Sequence, residues 1–320
     1  MLRDVYRLLK HTVLCWPLLL VACADDGLCK ISTLGNLSVL NNRSFPIVKA
    51  TINERPVAFI VDTGSRFSNI WPNEVEKLGL ESRSERVLLR GIGGETMGGV
   101  AVADSVGLGS GKATNVTFVT AGNLFDGRSV DGLPVVGLLG ADFLSNYDVV
   151  FDLPNHRITL LQIEGCKDWH PAWQGSFFKV SVDHGWRDDT KIVVHLKLNN
   201  HPIDAFLDSG ASTTIISRSD ALDSGVTKSM LAEDRKGMGF GIDDEKTVRY
   251  LHRFETLQMG PFRFHRPVLH VAKTDNSLLG ADFLRHHRVW IPRYEDWIYV
   301  QASSMASANL TSPHTTPATN

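Results

Sequence analysis

The chain has 320 residues, with 33 Lys and Arg against 35 Asp and Glu, and a formal net charge of −2. This even balance offers no basic surface for nucleic acid or an anionic membrane, so neither is expected as a partner. The length suits one large domain or two ordinary ones. The sequence has neither a His-Glu-x-x-His nor a Cys-x-x-Cys motif, so we expect no metal and no other cofactor.

Residues 1–22 have the pattern of an export signal. Basic residues at positions 3, 7 and 10 precede an apolar run over residues 12–22, which is too short to span a bilayer comfortably as a helix. The run ends in Leu-Val-Ala before Cys23 and resembles the bacterial lipoprotein signal, in which that Cys is lipidated and becomes the mature N-terminus. The sequence therefore predicts an exported protein of the cell envelope or periplasm, held to a membrane only through Cys23.

Two other processing routes stay open. Ala22 and Ala24 flank Cys23 and also fit the small-x-small rule for ordinary cleavage before Asp25. An uncleaved anchor is the third route. Each of the three places the body of the protein, which follows an N-terminal segment at 23–44, outside the cytoplasm.

Export changes what the cysteines predict. Cys15 leaves with the signal and Cys23 takes the lipid, so Cys29 and Cys166 remain as an even number in an oxidising compartment. A disulfide between them would close the first half of the chain. Two unrelated buried thiols are the alternative.

An internal repeat follows. Alternating apolar residues at 48–52 predict a strand, a turn follows at 53–56, and the apolar run 57–61 leads into Asp62. The same pattern recurs before Asp208. The offset is 146 residues for the turn Asn, the turn Pro and the Asp alike, which indicates an internal duplication.

Short helices and glycine-rich hairpins follow in both halves. Residues 72–78, closed by Gly79, and residues 219–224, closed by Gly225, predict two short helices. Each half then has a hairpin whose glycines favour a mobile, tightly turning tip. We expect the two tips to contact substrate, through Ile92, Gly93 and Gly94 in the first half and through Phe240, Gly241 and Ile242 in the second.

Each half ends with the heptapeptide Leu-Leu-Gly-Ala-Asp-Phe-Leu, at 138–144 and at 278–284. The pattern predicts a buried strand that makes close backbone contact and then enters a helix, with structural loops at Leu139-Gly140 and Leu279-Gly280. Asp142 and Asp282 are expected to stabilise the helix N-terminus. The expected boundaries are a first lobe at 45–165, a linker at 166–175, a second lobe at 176–301 and a disordered tail at 302–320.

The duplicated aspartates predict a hydrolytic site. If the halves pair about a pseudo-twofold axis, Asp62 and Asp208 meet and share one proton, because two adjacent carboxylates cannot both ionise. One would act as a base on a water molecule while the other donates to a substrate carbonyl. Neighbouring residues fit this arrangement, with hydroxyls that could link the two loops and glycines that let backbone N–H groups approach: Thr63, Gly64, Ser209 and Gly210.

The triplets Asp62-Thr63-Gly64 and Asp208-Ser209-Gly210, each followed downstream by Leu-Leu-Gly, resemble the retropepsin-like aspartic proteases. The resemblance covers residues 45–301. It implies an all-β fold of two tandem β-barrel lobes related by a pseudo-twofold axis, with few short helices. It also implies endopeptidase activity on a peptide or protein substrate, closing flaps, and a monomer that contains an internal pseudo-dimer.

The residue after each triplet differs, with Ser65 in the first half and Ala211 in the second. A hydroxyl at Ser65 could donate to ionised Asp62, whereas Ala211 cannot do this for Asp208. We therefore predict that Asp62 is the more acidic carboxyl and that Asp208 carries the shared proton.

Two other function classes stay open beside a protease. A catalytically silent module could hold a peptide or an envelope partner, although a binder has no use for a costly pair of like charges. A glycosidase also uses two carboxylates, but these lie farther apart and need not come from matched loops.

Overall fold

The computed structural model describes residues 29–91, 94–122, 127–166, 172–184, 191–240, 246–293 and 295–302. The predicted signal with Cys23, the tail, and the flap residues Ile92, Gly93, Gly241 and Ile242 lie outside the described residues. The described part is an all-β fold of two lobes with a few short helices, which confirms the predicted fold class.

The first half of the described chain is built mainly from strands. They are β1 (Lys30–Ser38), β2 (Ile47–Ile52), β3 (Arg55–Val61), β4 (Asn69–Ile70), β5 (Glu81–Gly91), β6 (Gly94–Leu108), β7 (Gly111–Thr120), β8 (Ser129–Val130), β9 (Leu133–Leu139), β10 (Asp148–Asp152) and β11 (Arg157–Glu164). The helices are α1 (Glu74–Lys77), α2 (Ala141–Leu144) and a 3-10 turn (Leu153–Asn155).

The second half repeats this composition. Its strands are β12 (Phe178–His184), β13 (Ile192–Leu198), β14 (His201–Leu207), β15 (Ile215–Ser217), β16 (Arg235–Phe240), β17 (Lys246–Arg253), β18 (Thr256–Met259), β19 (Phe262–His265), β20 (Val268–Ala272), β21 (Ser277–Leu279), β22 (His287–Ile291) and β23 (Trp297–Ala302). Its helices are α3 (Arg218–Asp223), α4 (Lys228–Glu233) and α5 (Ala281–Leu284).

The structure repeats the same turn in both lobes, at the positions where the sequence repeats. Asn53 and Asn199 both adopt a left-handed backbone, with φ of 47° and 50°, which Asn tolerates better than most residues. Each side-chain amide then donates to a carbonyl at the end of a short helix, Leu78 in the first lobe (3.1 Å) and Ser224 in the second (3.2 Å). The same residue therefore fixes the same turn in both lobes.

In each lobe, the strand that leads into the aspartate pairs with the strand of the Leu-Leu-Gly motif. β3 pairs parallel with β9, and β14 pairs parallel with β21. β9 and β21 then pair antiparallel with β4 and β15, the strands that follow the aspartate loops. Each aspartate loop is consequently bounded by its own two flanking strands and by the Leu-Leu-Gly strand, which comes from a distant part of the sequence.

A sheet shared by both lobes joins the two halves. Its order is β1, β11, β10, β22, β23 and β12, and it continues through β13 into the second lobe. The lobes meet at the antiparallel pair β10 and β22, where Phe151 lies opposite Val289. Strand β1 was not predicted from the sequence, since the segment at 23–44 lacks a clear apolar alternation.

Buried ionic contacts reinforce this junction. The carboxylate of Asp152, which is 1% exposed, accepts from Arg288 of the other lobe at 2.7 Å and from Arg157 at 3.0 Å. Arg285 also reaches across the lobes and donates to the backbone carbonyls of Asn41 (2.9 Å) and Ser44 (3.1 Å). These contacts hold the second lobe against the segment that precedes the first.

Cys29 and Cys166 are joined by a disulfide, and they are the pair that the sequence predicts. The bond lies at the open ends of β1 and β11, next to the register pair Lys30 and Glu164. It therefore anchors the start of the described chain to the end of the first lobe.

The two predicted short helices appear as α1 and α3, and the structure adds α4. Thr227 accepts from the N–H of Met230 at the start of α4 (3.2 Å), and Ser217 does the same for Asp220 in α3 (3.1 Å). Within the described residues, we find no helix with the length and apolar character needed to cross a membrane.

Candidate active site

Both aspartates lie directly after a largely buried strand, since β3 is buried over residues 57–61 and β14 is buried at Ile203, Ala205 and Leu207. The backbone N–H of Asp62 donates to the carbonyl of Leu139, and that of Asp208 donates to the carbonyl of Leu279, each at 2.9 Å. The apolar runs before the aspartates bury these strands, and the Leu-Leu-Gly strands hold their ends. Each carboxyl group is thus presented from a rigid position by its own lobe.

The two loops are tied to each other by crossed hydrogen bonds. The hydroxyl of Thr63 donates to the carbonyl of Leu207 (2.6 Å) and accepts from the N–H of Ser209 (3.0 Å). In return, the hydroxyl of Ser209 donates to the carbonyl of Val61 (2.7 Å) and accepts from the N–H of Thr63 (3.0 Å). The structure thus brings together the two hydroxyl residues of the repeated triplets.

Each carboxylate is also held by its own loop. One oxygen of Asp62 accepts from the N–H groups of Gly64 (2.9 Å) and Ser65 (3.0 Å). One oxygen of Asp208 accepts from the N–H groups of Gly210 (2.9 Å) and Ala211 (3.0 Å). Both acids therefore keep a second oxygen free of these backbone bonds.

The glycines of the triplets show how closely the lobes approach. A β-carbon on Gly64 would lie 2.6 Å from Oδ2 of Asp208, and one on Gly210 would overlap the carboxylate of Asp62. Each glycine therefore lies against the carboxylate of the opposite lobe, and any side chain would push the two loops apart. The two acids face each other across this contact and share a hydrogen bond.

The Gly residues of the Leu-Leu-Gly motifs are needed for a second close approach. A β-carbon on Gly140 would lie 2.6 Å from the carbonyl carbon of Phe67, and one on Gly280 would lie 2.5 Å from that of Thr213. The N–H of Gly140 donates to the Ser68 hydroxyl at 2.9 Å. Leu139, Gly140, Leu279 and Gly280 thus support the aspartate loops from behind, as their strand pattern predicts.

Asp142 and Asp282 do more than the expected stabilisation of a helix start. Asp142 accepts from the N–H (2.8 Å) and the hydroxyl (2.7 Å) of Ser68, and Asp282 accepts from the N–H (2.9 Å) and hydroxyl (2.8 Å) of Thr214. Their principal partners therefore lie in the loops that follow the two aspartate triplets. This role was missed because the contact spans more than 60 residues of sequence.

The two acids differ in how strongly they hold a proton. Burial raises the pKa of Asp62 well above its usual range, and the charge of Asp208 and the hydrogen bond with it raise it further. Burial also raises the pKa of Asp208, but the N–H of Ala211, the hydrogen bond from Asp62 and the positive charge of Lys191 oppose that rise. Both pKa values are therefore raised, and these contributions favour Asp62 as the acid that holds the shared proton.

This assignment corrects the one drawn from the sequence, which placed the proton on Asp208. The Ser65 hydroxyl donates to the carbonyl of Phe67 at 2.9 Å and not to Asp62. Lys191, which was not predicted as a site residue, contributes a positive charge that favours the ionised form of Asp208. No sequence pattern near Lys191 indicates that it faces the pair, because its position depends on the fold of the second lobe.

The predicted flaps are hairpins in both lobes. β5 and β6 pair up to Gly91 and Gly94, and β16 and β17 pair up to Phe240 and Lys246. Gly94 and Phe240, predicted as substrate contacts, therefore stand at the last described strand positions. The remaining predicted tip residues fall outside the described part of the chain.

The geometry of the site can also be compared with what a metal site and a glycosidase require. Among the residues that the structure describes, no group of three His, Cys, Asp or Glu side chains is placed to hold a metal ion. The two carboxyl groups share a hydrogen bond, whereas a glycosidase needs a wider separation to admit the sugar.

The chain was compared with known proteins. Residues 48–143 match the family described as "Aspartyl protease", and residues 194–286 match the family described as "gag-polyprotein putative aspartyl protease". The two segments hold 96 and 93 residues, together more than half of the 320. Each lobe thus matches an aspartyl protease family separately.

Individual relatives agree with these families. DNA damage-inducible protein 1 of Cryptococcus neoformans var. neoformans serotype D, in two strains, is 32% identical over 105 residues. This match covers 32% of the present chain and only 23% of the relative. The structure of the aspartic proteinase from Irpex lacteus is similar, with a TM-score of 0.50 at 13% identity. The match covers 87% of this chain and 99% of that protein's chain. At this identity the similarity concerns the fold alone.

The fold and the two family matches place the protein among the aspartic-type hydrolases. Within that class, the chain belongs to the retropepsin-like aspartic proteases. It carries two lobes of this type in one polypeptide.

Proposed function

We propose that this protein is an aspartic endopeptidase that hydrolyses peptide bonds in extended polypeptides with a water molecule activated between Asp62 and Asp208. The observation that carries the proposal is the reciprocal contact in which Gly64 and Gly210 each lie against the carboxylate of the opposite lobe. This contact assembles one symmetric pair of acids from two separate parts of the chain.

The proton positions define a sequence of steps. Ionised Asp208 accepts a proton from the water, whose oxygen forms a bond to the peptide carbonyl carbon. Protonated Asp62 donates its proton to the carbonyl oxygen, which yields a tetrahedral diol. A proton then passes from the pair to the amide nitrogen, the C–N bond breaks, and one acid regains the shared proton as the carboxyl product forms.

The surroundings of the pair support this chemistry. The crossed Thr63 and Ser209 bonds keep both carboxyl groups in place, so little reorganisation accompanies proton transfer. The two flap hairpins offer strand edges for an extended peptide, which would bind by main-chain hydrogen bonds. Their closure over the peptide would exclude bulk water from the acids.

The direct test is incubation of the purified protein with an unfolded polypeptide between pH 3 and 8. We expect cleavage at internal peptide bonds, inhibition by a peptide mimic of the tetrahedral state, and no cleavage by the Asp62→Asn variant. Tight binding of the mimic without any cleavage would instead favour a silent peptide-binding module of the cell envelope and contradict the proposal.

We also propose that the protein is exported and anchored by lipid at Cys23, as a monomer whose two lobes form its internal pseudo-dimer. The disulfide between Cys29 and Cys166 supports an oxidising compartment. Both acids come from one chain, so no partner copy is needed to complete the site. Metabolic labelling with a fatty-acid analogue should mark the wild type and not a Cys23→Ala variant; equal labelling of both would contradict the anchor.

A further inference from the structure

The active-site face of the second lobe contains a cation, Arg249, that forms no ion pair with any of the residues that the structure describes. A small buried cluster on this face is formed by Ile215, Ala272 and Leu278, and Phe206 and Ala211 pack against it. Ala211 donates its N–H to the carboxylate of Asp208, so this cluster adjoins the catalytic pair. Strands β20 and β17 extend the cluster toward the flap. His270 lies on β20, and Arg249 lies on β17.

Strand register places Arg249 and His270 on that face. Ile215 lies opposite His270 in the parallel pair β15 and β20, and Ala272 lies opposite Arg249 in the antiparallel pair β20 and β17. Residues that face each other in register point to the same side of a sheet, and so do residues two apart in one strand. Arg249 and His270 therefore share the face that holds Ile215 and Ala272.

The side chain of Arg249 extends along the flap. A β-carbon on Gly239 would overlap the Arg249 guanidinium, so this side chain lies across the backbone of the hairpin that we expect to cover substrate. Gly239 leaves the space that the guanidinium needs. The charge is therefore held between the flap and the active-site face.

Both side chains keep buried polar atoms that have no hydrogen-bond partner. These atoms are Nε of Arg249 and Nδ1 of His270. Burial lowers the pKa of Arg249, and burial together with the Arg249 charge lowers the pKa of His270, while the charge of Asp282 opposes the latter shift. Asp282 itself is occupied by the N–H and hydroxyl of Thr214. A partly buried cation without a paired carboxylate is costly, and a ligand carboxylate would relieve that cost.

The first lobe has apolar residues or glycine at the equivalent positions. Asn69, 146 residues before Ile215, lies opposite Val119, so Val119 is equivalent to His270. The register of β6 with β7 makes Gly98 equivalent to Arg249 in the same way. A β-carbon on Gly98 would meet Val119 at 2.7 Å and Leu89 at 3.2 Å, so apolar side chains fill this region.

We infer that the second lobe forms a subsite for an acidic substrate side chain, which Arg249 binds with the help of His270, whereas the matching subsite of the first lobe takes an apolar side chain. The inference rests on the proposed endopeptidase function and adds a substrate class to it. Because the two lobes contact substrate on opposite sides of the cleaved bond, the preferred sequence would be acidic on one side and apolar on the other.

The test uses paired peptides that carry Glu or Gln at each of the three positions on either side of the cleaved bond, assayed at pH 6. We expect one position at which Glu raises kcat/KM by at least about tenfold over Gln, since a charge-assisted bond replaces an unpaired cation. Arg249→Met should abolish this preference, and Arg249→Lys should retain part of it. Arg253→Met, which alters an exposed Arg on the same strand, should leave the preference intact.

A far-UV circular dichroism spectrum and a cooperative thermal transition like those of the wild type show that the Arg249→Met variant is folded, so loss of preference reports the subsite itself. Equal cleavage of Glu and Gln peptides by the wild type at every position would overturn the inference and leave the endopeptidase proposal intact. That result is also expected if acids of the hairpin tip, at 243–245, supply the carboxylate instead.

Binding separates the inference from the proposed function. Fluorescence anisotropy of the same labelled peptides on the Asp62→Asn variant should show tighter binding of the Glu peptide by about tenfold. If the wild type cleaves nothing while this charge selectivity persists and depends on Arg249, the subsite stands and the proposed function fails. If binding shows no selectivity, the subsite is wrong whether or not cleavage occurs.

Discussion

At the residue scale, Asp62 and Asp208 have nearly identical backbone partners. Their charged surroundings differ. Asp62 and Asp208 each accept two N–H bonds from their own loops, at matching distances of 2.9 and 3.0 Å. The positive charge of Lys191 favours ionisation of Asp208, and no equivalent contribution acts on Asp62 in the described part of the chain. This charge favours the ionised form of Asp208, which the proposed mechanism uses as its base.

Removing that charge should move the acid limb of the pH–rate profile. In a Lys191→Met variant, the ionised form of the pair loses a stabilising charge, so the pair ionises at higher pH. We expect the acid limb of kcat/KM to shift upward. The matched control Lys197→Met, at an exposed position of β13, the strand that follows Lys191, should leave the limb in place.

Ser65→Ala offers a second comparison on the same measurement. Because the Ser65 hydroxyl donates to the carbonyl of Phe67, its loss should not move the acid limb. An upward shift in this variant, with none in Lys191→Met, would restore the assignment of the proton to Asp208.

The triplet glycine can be tested in the same assay. A methyl group at residue 64 would meet Oδ2 of Asp208 at 2.6 Å, so Gly64→Ala should separate the two acids. We expect kcat/KM to fall by about 100-fold or more, because small displacements of reacting groups have effects of this size. Gly237→Ala, where an added β-carbon would have no neighbour within 4 Å, should keep wild-type activity.

The sequence was sufficient to predict the two acids that meet between the lobes, but not which of them holds the proton. The two triplets share one offset and one downstream motif, and a local pattern of that kind survives in the fold. The hydroxyl direction of Ser65 and the position of Lys191 depend on contacts between distant segments. Local patterns carry no information on such contacts.

At the element scale, strand β22 carries an ionisable side chain, His287, among apolar neighbours. His287 is 4% exposed, stacks on Phe283 at 4.2 Å between ring centroids, and meets the edges of Phe262 and Phe264. Burial lowers the pKa of His287 to about 4, and the charge of His286 acts in the same direction. The neutral imidazole is therefore part of the packing where the lobes meet.

This group makes the fold less stable as the solution becomes more acidic. The pKa of His287 is about 4 in the folded state against 6.5 in the unfolded state, so the unfolded chain gains the proton first as the pH falls. Between pH 7.5 and pH 5, this single group should lower the free energy of unfolding by about 2 kcal/mol.

Denaturant unfolding at the two pH values measures the effect. The His287→Gln variant should lose less stability than the wild type over this interval, although its stability at pH 7.5 will be lower. Equal losses in both proteins would show that His287 is not kept neutral by its surroundings.

Elements with a local signature were predictable, and those defined by distant partners were not. The residues of α1 and α3 were marked by closing glycines, and the hairpins by their glycine-rich tips. β1 was missed because its place is defined by pairing with β11, more than 100 residues away. The loop-binding role of Asp142 was missed for the same reason.

At the scale of the whole molecule, one sheet holds the two lobes in register, and one disulfide closes the first half of the described chain. The pairing of β10 with β22 and the buried contact of Arg288 with Asp152 cross the junction directly. The disulfide joins residues 137 apart and so restricts the unfolded chain over its first half. The acids can meet only while this junction is intact.

Loss of the disulfide should weaken the fold without changing the chemistry. In the chain-entropy treatment, a crosslink that closes a loop of this length contributes up to about 5 kcal/mol. A Cys29→Ser, Cys166→Ser double variant should therefore show a lower Tm and, below that Tm, the kcat/KM of the wild type. An unchanged Tm would indicate that the pairing of β1 with β11 alone anchors this end of the chain.

The central claim is that one acid from each lobe acts with the other as a single catalytic unit. The most direct measurement is kcat/KM on one cleaved peptide for Asp62→Asn, Asp208→Asn and the double variant, with Asp204→Asn as an exposed control. Each single change should lower kcat/KM by at least about 1,000-fold, and the double change should lower it no further, because either loss removes the whole unit. Retention of most activity in either single variant would contradict the account.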